Sequence, residues 1–289
     1  MSKKANLAII GGTGLYEIEG FKKVETWFPD TPWGKPSDEI TIAEWEGFRV
    51  AFLPRHGKGH FISPTNIPQK ANMAALKLAG VEEIVAFSSV GSLKEEIAPG
   101  DFVLPSQIID RTRHRDDTYF DGGIVVHVSF GDPFDHELAD LLAPVIVKEG
   151  IKLHKDVTVI CMEGPAFSTR AESKLYRSWG AGIINMTVLP EAKLARELEM
   201  SYQMVCMSTD YDSWRESEEA VTVEEIIKIV TKNTTSAKKI IRDAMPLFIK
   251  RGEKDSRLKG SVKFGVMTAA DKRPADEKKK LNAVLPGYF

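Results

Sequence analysis

An alternation of short apolar runs with helix-like segments is the feature that most constrains the fold of this chain. The apolar runs occur at residues 7–10, 50–53, 84–87, 101–105, 157–160, 182–185 and 204–208. Apolar residues recur at helical spacing between several of them, as in 69–80, 135–150 and the longest pattern, 224–245. Strands that alternate with helices predict an α/β fold with a largely parallel sheet.

The domain organisation follows from the same pattern. No linker-like stretch interrupts the alternation of strands and helices, so we expect one domain over residues 1–289. The region from about residue 250 is rich in lysine, aspartate and glutamate and ends in the run DEKKK at 276–280. We expect this charged C-terminal extension to be a solvated tail or a surface helix.

Charge and cysteine usage limit the class of protein. The net charge of −2 argues against a nucleic-acid-binding protein, whose binding surface is usually basic. No apolar stretch approaches the roughly 18 residues of a membrane span, and the first apolar run stops at Gly11, which is short for a signal peptide. Cys161 and Cys206 lie in apolar runs and are expected to be reduced. We therefore expect a cytoplasmic protein without a membrane partner.

A glycine-rich turn follows the first apolar run, in the sequence IIGGTGL at 9–15. A dinucleotide-binding loop would need a glycine at position 17, where this chain has Glu17. A turn whose backbone N–H groups hold a single phosphate fits better, with the Thr13 hydroxyl as a further donor. A structural tight turn is the alternative.

Donors suited to an anion follow two further strands. Arg55 and His56 come directly after the run at 50–53, and Ser88 and Ser89 end the run that begins at 84. An exposed arginine without a ligand is the alternative for Arg55. Glycines between His56 and His60 disfavour a helical metal motif, and no G-x-S-x-G elbow marks a nucleophilic serine. These residues therefore favour oxyanion binding over metal binding or covalent catalysis.

The segments 162–173 and 184–191 each end a strand and enter a helix, where ligands bind in open α/β sheets. Phe167 is suited to stacking on a flat base, and Thr187 is suited to donating a hydrogen bond to an anion. Met186 is suited to covering the apolar face of a sugar, although core packing is the favoured role when this residue is considered alone. These segments predict a ligand site at the strand ends.

Two acids, Asp210 and Asp212, close the run at 204–208 within the sequence TDYDSW. Burying carboxylates beside aromatic residues is costly unless they are paired, hydrogen-bonded or protonated. If the segment is extended, both acids lie on one side, and two close acids raise one apparent pKa of the pair. A D-x-D metal site is disfavoured because no histidine or third acid lies nearby in the sequence.

In this order the motifs resemble those of one family: GGTGL at 11–15, RHG at 55–57, GSLKEEIAPGD at 91–101, EGPAFSTRAES at 163–173, INMTVLPE at 184–191 and TDYDSW at 209–214. The chain resembles the trimeric purine nucleoside phosphorylases, and among them those that act on 5′-methylthioadenosine. The resemblance implies a single domain with a central twisted mixed sheet flanked by helices, in a homotrimer. It implies phosphorolysis to adenine and 5-methylthioribose 1-phosphate, in purine and methionine salvage. An enzyme for methylthioinosine or purine nucleosides in general is the alternative.

The resemblance also implies roles for residues. The phosphate, which is a co-substrate, is expected to be bound by Thr13, Arg55, His56, Ser88, the Ser89 backbone and Thr187. The nucleoside is expected to contact Met186, Phe167, Ser168, Asp210 and Asp212, and its methylthio group to meet His127, Val223 and apolar groups of a neighbouring subunit. Asp210 is expected to donate a proton to purine N7, while Asp212 accepts from the 6-amino group. No metal and no organic cofactor are implied.

Overall fold

The structure is a computed structural model, and it describes residues 3–12, 14–15, 18–215 and 223–289, with side chains of the last range from residue 227 onward. The described strands are β1 Leu7–Gly11, β2 Lys22–Trp27, β3 Ile40–Trp45, β4 Phe48–Pro54, β5 Glu83–Ser92, β6 Phe102–Arg111, β7 Leu153–Met162, β8 Ile183–Asn185 and β9 Ser201–Asp210. The α-helices are α1 Gln69–Leu78, α2 His136–Lys148, α3 Arg170–Ser178, α4 Val188–Glu197, α5 Val223–Arg251 and α6 Ala275–Val284. Short 3₁₀ helices span Pro64–Asn66, Val262–Gly265 and Ala270–Lys272.

All nine strands belong to one sheet in the order β2-β3-β4-β1-β5-β8-β7-β6-β9. The pairs β1–β4, β1–β5, β5–β9, β6–β7 and β7–β8 are parallel, and β2–β3, β3–β4, β5–β8 and β6–β9 are antiparallel. The predicted mixed sheet is confirmed. Because β9 pairs with both β6 and β5, the second half of the sheet closes on itself and brings the ends of β5, β7, β8 and β9 together.

The sequence predicted the interior strands better than the edge. Each predicted apolar run overlaps a strand. The buried residues of these strands form clusters on both faces of the sheet. Strand β2 was not predicted, because it is polar and largely exposed, with the sequence KKVETW. Its partner β3 has three buried residues out of six and follows a turn-rich loop, and its apolar residues form no continuous run.

Local capping explains where two of the helices begin. The Asp135 side chain accepts hydrogen bonds from the Glu137 and Leu138 N–H groups at the start of α2. Helix α3 begins with a capping box, in which Thr169 and Glu172 make reciprocal hydrogen bonds. Helix α3 therefore begins in a defined place directly after the segment that carries Phe167 and Ser168.

The charged C-terminal region is anchored to the sheet domain by buried groups. Val262 and Leu281 are completely buried and belong to the same apolar cluster as the sheet residues. The Glu199 carboxylate, between α4 and β9, accepts hydrogen bonds from the Gly260 and Val262 N–H groups, each 2.8 Å long. The region after residue 250 thus contributes to the core in addition to presenting a charged surface. None of the described helices is long and apolar enough to cross a membrane.

Candidate active site

Arg55 begins the loop after β4 and is buried with a carboxylate partner. Its Nε and Nη2 atoms donate to Glu191 Oε2 at 2.6 Å and Oε1 at 2.8 Å, and its Nη1 donates to the Phe87 carbonyl at 3.1 Å. The side chains of Arg55 and Glu191 are 1% and 0% exposed. The alternative of an exposed surface arginine is wrong. A guanidinium held in one plane presents its N–H donors in a fixed geometry, which is suited to an oxyanion.

His56 is buried beside Arg55, and its Nδ1 donates to the Ile62 carbonyl at 2.8 Å. Burial, together with the charges of Arg55 and His60, lowers the pKa of His56 to about 4, although the hydrogen bond to Ile62 opposes the shift. The ring is therefore neutral at pH 7, with its only N–H directed at Ile62. In the neutral ring Nε2 is a hydrogen-bond acceptor. The predicted donation from His56 to an anion therefore requires that the negative charge of the anion raise the pKa of the ring enough for Nε2 to be protonated.

The hydroxyl of Ser88, in the middle of β5, meets that of Thr187, just after β8. Their oxygen atoms lie 3.4 Å apart, and the Asn185 side-chain amide donates to both, at 3.3 Å and 3.1 Å. Thr187 is also the N-cap of α4, and its side chain makes no capping hydrogen bond. Leu189 has non-helical φ and ψ of −116° and 139°, so the regular part of α4 begins beyond it. The two hydroxyls themselves converge near Arg55, a combination suited to phosphate.

Met186 lies between this cluster and the end of β7. A Cβ atom placed on Gly164 would lie 2.5 Å from the Met186 sulfur, so only glycine allows this close approach. The Met186 carbonyl accepts a 2.8 Å hydrogen bond from Arg115 Nη1. The position of Met186 is therefore set by backbone contacts as well as by packing.

The two acids lie at the end of β9, but the segment is not extended as predicted. Strand β9 ends at Asp210, and Asp212 has a positive φ of 36° in the following turn. The Asp212 N–H donates to Asp210 Oδ1 at 2.9 Å, and the Thr209 hydroxyl donates to Asp210 Oδ2 at 2.7 Å. This turn is a local hydrogen-bonded alternative to the strand, and it brings the acids together by folding the chain back.

The two carboxylates differ in their surroundings. Asp212 Oδ2 is buried, and within the part of the chain that the structure describes it has no hydrogen-bond partner. Burial raises the pKa of Asp212; the Ser173 hydroxyl and the Ser213 N–H oppose this shift, and the Asp210 charge adds to it. The prediction that one acid of the pair has a raised pKa is therefore met by Asp212, the residue expected to accept rather than donate.

Gly91 lies on the same strand as Ser88, three residues further along, and faces the two acids. In the parallel pairing of β5 with β9, Gly91 lies opposite Asp210 and Ser88 lies opposite Cys206. A Cβ atom on Gly91 would lie 3.3 Å from Asp210 Oδ1 and 3.3 Å from the Asp212 Cβ. One strand therefore carries Ser88 near the predicted phosphate site and faces both acids three residues later.

Ser168 and Phe167 lie on the loop before α3, next to the turn that carries the acids. The Ser213 hydroxyl donates to the Ser168 carbonyl at 2.7 Å, which ties the two loops together. Ser168 is buried, and its hydroxyl lies 3.4 Å from the Met162 sulfur. Phe167 is 82% exposed, so its ring is accessible, and its stacking on a flat base stays a prediction.

Of the remaining predicted residues, Ser89 adjoins the hydroxyl cluster, His127 packs against the C-terminal region, and two fall outside the described residues or side chains. Ser89 is exposed, and its carbonyl accepts from the Ser88 hydroxyl at 3.1 Å. His127 is exposed, and its backbone N–H donates to the Gly265 carbonyl in the C-terminal region at 2.9 Å. Thr13 and the Val223 side chain lie outside the described residues. No metal-binding group of three or more His, Cys, Asp or Glu residues occurs among the residues described.

Several site residues were not predicted from the sequence. Asn185 and Glu191 belong to the motif INMTVLPE, so the motif itself indicates that they lie near the site. The sequence does not distinguish Arg115 from the other charged residues of the loop after β6, so its place in the site could not be predicted. Its Nε donates to Glu163 Oε1 at 3.2 Å and its Nη2 to the Glu163 carbonyl at 2.7 Å.

Glu163 is held ionised by this contact. Burial opposes the shift, but hydrogen bonds from the Thr65 hydroxyl and the Arg113 N–H, together with the Arg115 charge, lower the pKa of Glu163 to about 2. Arg115 and Glu163 thus join the loops after β6, β7 and β8, which carry the predicted base and sugar contacts.

Comparison with known proteins gives a consistent result. The sequence model of the phosphorylase superfamily matches residues 6–245. An S-methyl-5′-thioadenosine phosphorylase of Yarrowia lipolytica is 52% identical over 100% of this chain and 94% of its own length. The Schizosaccharomyces pombe protein of the same name is also 52% identical, over 99% of this chain and 98% of its own length.

Solved structures agree with the sequence relatives. A methylthioadenosine phosphorylase from an Antarctic soil metagenomic library has a TM-score of 0.93 and 41% identity, covering 99% of this chain and 100% of the other. The methylthioadenosine phosphorylase of Schistosoma mansoni in complex with adenine has a TM-score of 0.84 and 32% identity, covering 91% of this chain and 99% of the other.

Proposed function

The chain belongs to the phosphorylase superfamily, and from this premise we propose that it cleaves 5′-methylthioadenosine with phosphate. The products are adenine and 5-methylthioribose 1-phosphate. Relatives that share half of its residues over its whole length carry the name of this activity. The reaction is the same one that the sequence motifs implied.

The observation that carries the proposal is the spacing along β5. Ser88 marks the phosphate end of the site, and Gly91 faces both acids at the base end. Three residues of a strand span about 10 Å. A phosphate, a ribose and a purine bound in a row need a site of this length, with Met186 beside the sugar.

The residues at the two ends suit the charges that develop in the reaction. Cleavage of the N-glycosidic bond leaves positive charge on the sugar and negative charge on the departing purine. A phosphate held by Arg55, Ser88 and Thr187 attacks the sugar and stabilises its positive charge. Asp210 donates a proton to N7 of the purine, which neutralises the leaving group. No nucleophile of the enzyme is needed in this route.

Asp212 is the residue that tests the choice of base. An ionised Asp212 accepts a hydrogen bond from a 6-amino group, whereas a protonated Asp212 donates to a 6-oxo group. Burial raises the pKa of Asp212, which is the one observation in favour of methylthioinosine as a second substrate. The names of the relatives favour the 6-amino base.

The test is purine release from methylthioadenosine, with and without phosphate, beside methylthioinosine and adenosine. We expect fast release from methylthioadenosine that depends on phosphate. Release mainly from methylthioinosine would reassign Asp212 as a donor. Ligand binding without release from any of the three nucleosides would contradict an enzymatic function.

The assembly and location are part of the same proposal. In a homotrimer, apolar groups of a neighbouring subunit would complete the methylthio end of the site, which we propose to contain His127 and Val223. Two free, buried cysteines, Cys161 and Cys206, suit a reducing, cytoplasmic location. Light scattering of the purified protein tests the trimer, and a monomer with full activity would contradict the shared site.

A further inference from the structure

Tyr202 extends the buried pair of Arg55 and Glu191 into a cluster of three side chains. Tyr202 lies on β9 and is 2% exposed. Its hydroxyl donates to Glu191 Oε1 at 2.7 Å, the same oxygen that accepts from Arg55 Nη2 at 2.8 Å. Glu191 Oε2 accepts from Arg55 Nε at 2.6 Å. Elements β9 and α4 therefore both fix the guanidinium at the end of β4.

Stability alone gives little reason for such a cluster. Moving two charges and a hydroxyl out of water is unfavourable, and apolar side chains of similar volume often serve a core equally well. A carboxylate that accepts from two nitrogens of one guanidinium does fix the plane of that group. Tyr202 in turn fixes the carboxylate. The cluster thus sets an orientation that a flexible arginine would lose.

We propose that Glu191 and Tyr202 are positioning residues for phosphate, holding the Arg55 guanidinium in one plane beside Ser88 and Thr187. The Nη1 atom of Arg55 donates to the carbonyl of Phe87, the residue next to Ser88. Glu191 lies on the first turn of α4, whose N-cap is Thr187. The inference rests on the proposed function, because it assigns phosphate to this end of the site.

Positioning predicts an effect on phosphate without an effect on the nucleoside. The Tyr202 hydroxyl contacts Glu191 and acts on phosphate only through Arg55. A small displacement of a bound donor weakens binding of the group that it contacts. The base end of the site depends on other elements, namely the turn at 210–213 and the loop before α3. Loss of the Tyr202 hydroxyl should therefore weaken the binding of phosphate and leave the binding of the nucleoside unchanged.

The experiment compares Tyr202→Phe with Tyr119→Phe. Both tyrosines are buried, and the Tyr119 hydroxyl donates to the Lys70 carbonyl, so each change removes one buried hydroxyl. Inorganic phosphate is titrated into each protein by calorimetry, and KM is measured for phosphate and for methylthioadenosine. In Tyr202→Phe we expect the Kd and KM for phosphate to rise roughly three- to tenfold, with KM for methylthioadenosine unchanged. Tyr119→Phe should change neither.

A second variant, Glu191→Asp, keeps the charge but withdraws the carboxylate from Arg55, and we expect a larger rise in the Kd for phosphate. An unchanged Kd in both variants, or an equal rise in KM for both substrates, overturns the inference. Absence of phosphate binding by the unaltered protein also overturns it. If the unaltered protein binds phosphate but releases no adenine, the proposed function fails, while the calorimetric comparison still decides the role of Tyr202.

Discussion

The two ends of the candidate site differ in how completely their polar groups are paired. At the phosphate end, Arg55 is buried and fixed by Glu191 and by the Phe87 carbonyl. At the base end, Asp212 has a positive φ and a buried oxygen without a partner among the described residues, and Phe167 is 82% exposed. The groups at the proposed phosphate end are already paired with other groups of the protein. The base end keeps polar and apolar surface that a purine would cover.

This difference has a physical reason. Phosphate is small and strongly hydrated, so fixed donors must replace its water without reorganising during the reaction. A purine offers a large flat surface, and contacts made on binding can order a loop. Variants at the proposed phosphate end should therefore affect stability and phosphate binding, whereas variants at the base end should affect turnover of the nucleoside.

The largest effect is expected from Asp210→Asn. An asparagine cannot transfer a proton to N7, so adenine release should fall about a hundred- to ten-thousand-fold. Steady-state assays with methylthioadenosine measure the loss, and circular dichroism should show an unchanged fold. Asp271→Asn, on the exposed surface, is the control. Turnover of Asp210→Asn near that of the control would contradict the general-acid role.

Glu191→Gln should have the largest effect on stability. It leaves the charge of Arg55 buried without its carboxylate, which costs about 3–5 kcal/mol. Urea unfolding measures the difference. Glu44→Gln is the matched control, because Glu44 pairs with Arg49 at 3.6 Å on the surface, where such pairs contribute about 0–1 kcal/mol. Equal stability of the two variants would mean that the Arg55 pair is not energetically coupled to the core.

A smaller effect is expected from Gly91→Ala at the base end. The added Cβ would lie 3.1 Å from Ile184 Cγ2 and 3.3 Å from Asp210 Oδ1, so the acids must shift by a few tenths of an ångström. We expect kcat/KM for methylthioadenosine to fall about tenfold, with the Kd for phosphate unchanged. Gly131→Ala is the control, since a Cβ there meets nothing within 4 Å. A selective loss of phosphate binding would reverse the assignment of the two ends.

The smallest effect is expected from Asp212→Asn, on stability as a function of pH. Because burial raises the pKa of Asp212 in the folded state, protonation of this group favours folding. Its stabilisation is complete below the unfolded pKa of about 3.9 and is lost as pH rises through the higher folded pKa. Asp212→Asn should therefore be slightly more stable than the unaltered protein at pH 7, with no gain at pH 3. A variant that is less stable at pH 7 would contradict the inference that burial makes the ionised Asp212 carboxylate unfavourable.

The mixed sheet and the family were predictable because they depend on local sequence patterns. Apolar runs bounded by turns identify buried strands wherever they lie, and the predicted family is confirmed by the relatives. The roles of the individual site residues stay predictions. The polar edge strand β2 was missed because it buries too little surface to leave an apolar run.

The sequence by itself determined which chemical groups this protein has at its strand ends: an arginine, hydroxyls and a pair of acids, each after an apolar run. Only the tertiary structure decided which of these groups are paired. Glu191 on α4 reaches Arg55 across 136 positions of the chain, and Tyr202 on β9 joins the pair through Glu191. The turn after Asp210 brings the two acids together in place of an extended strand. Long-range packing determines the burial and the partners of each charged group. These in turn determine its pKa and which groups it can bind.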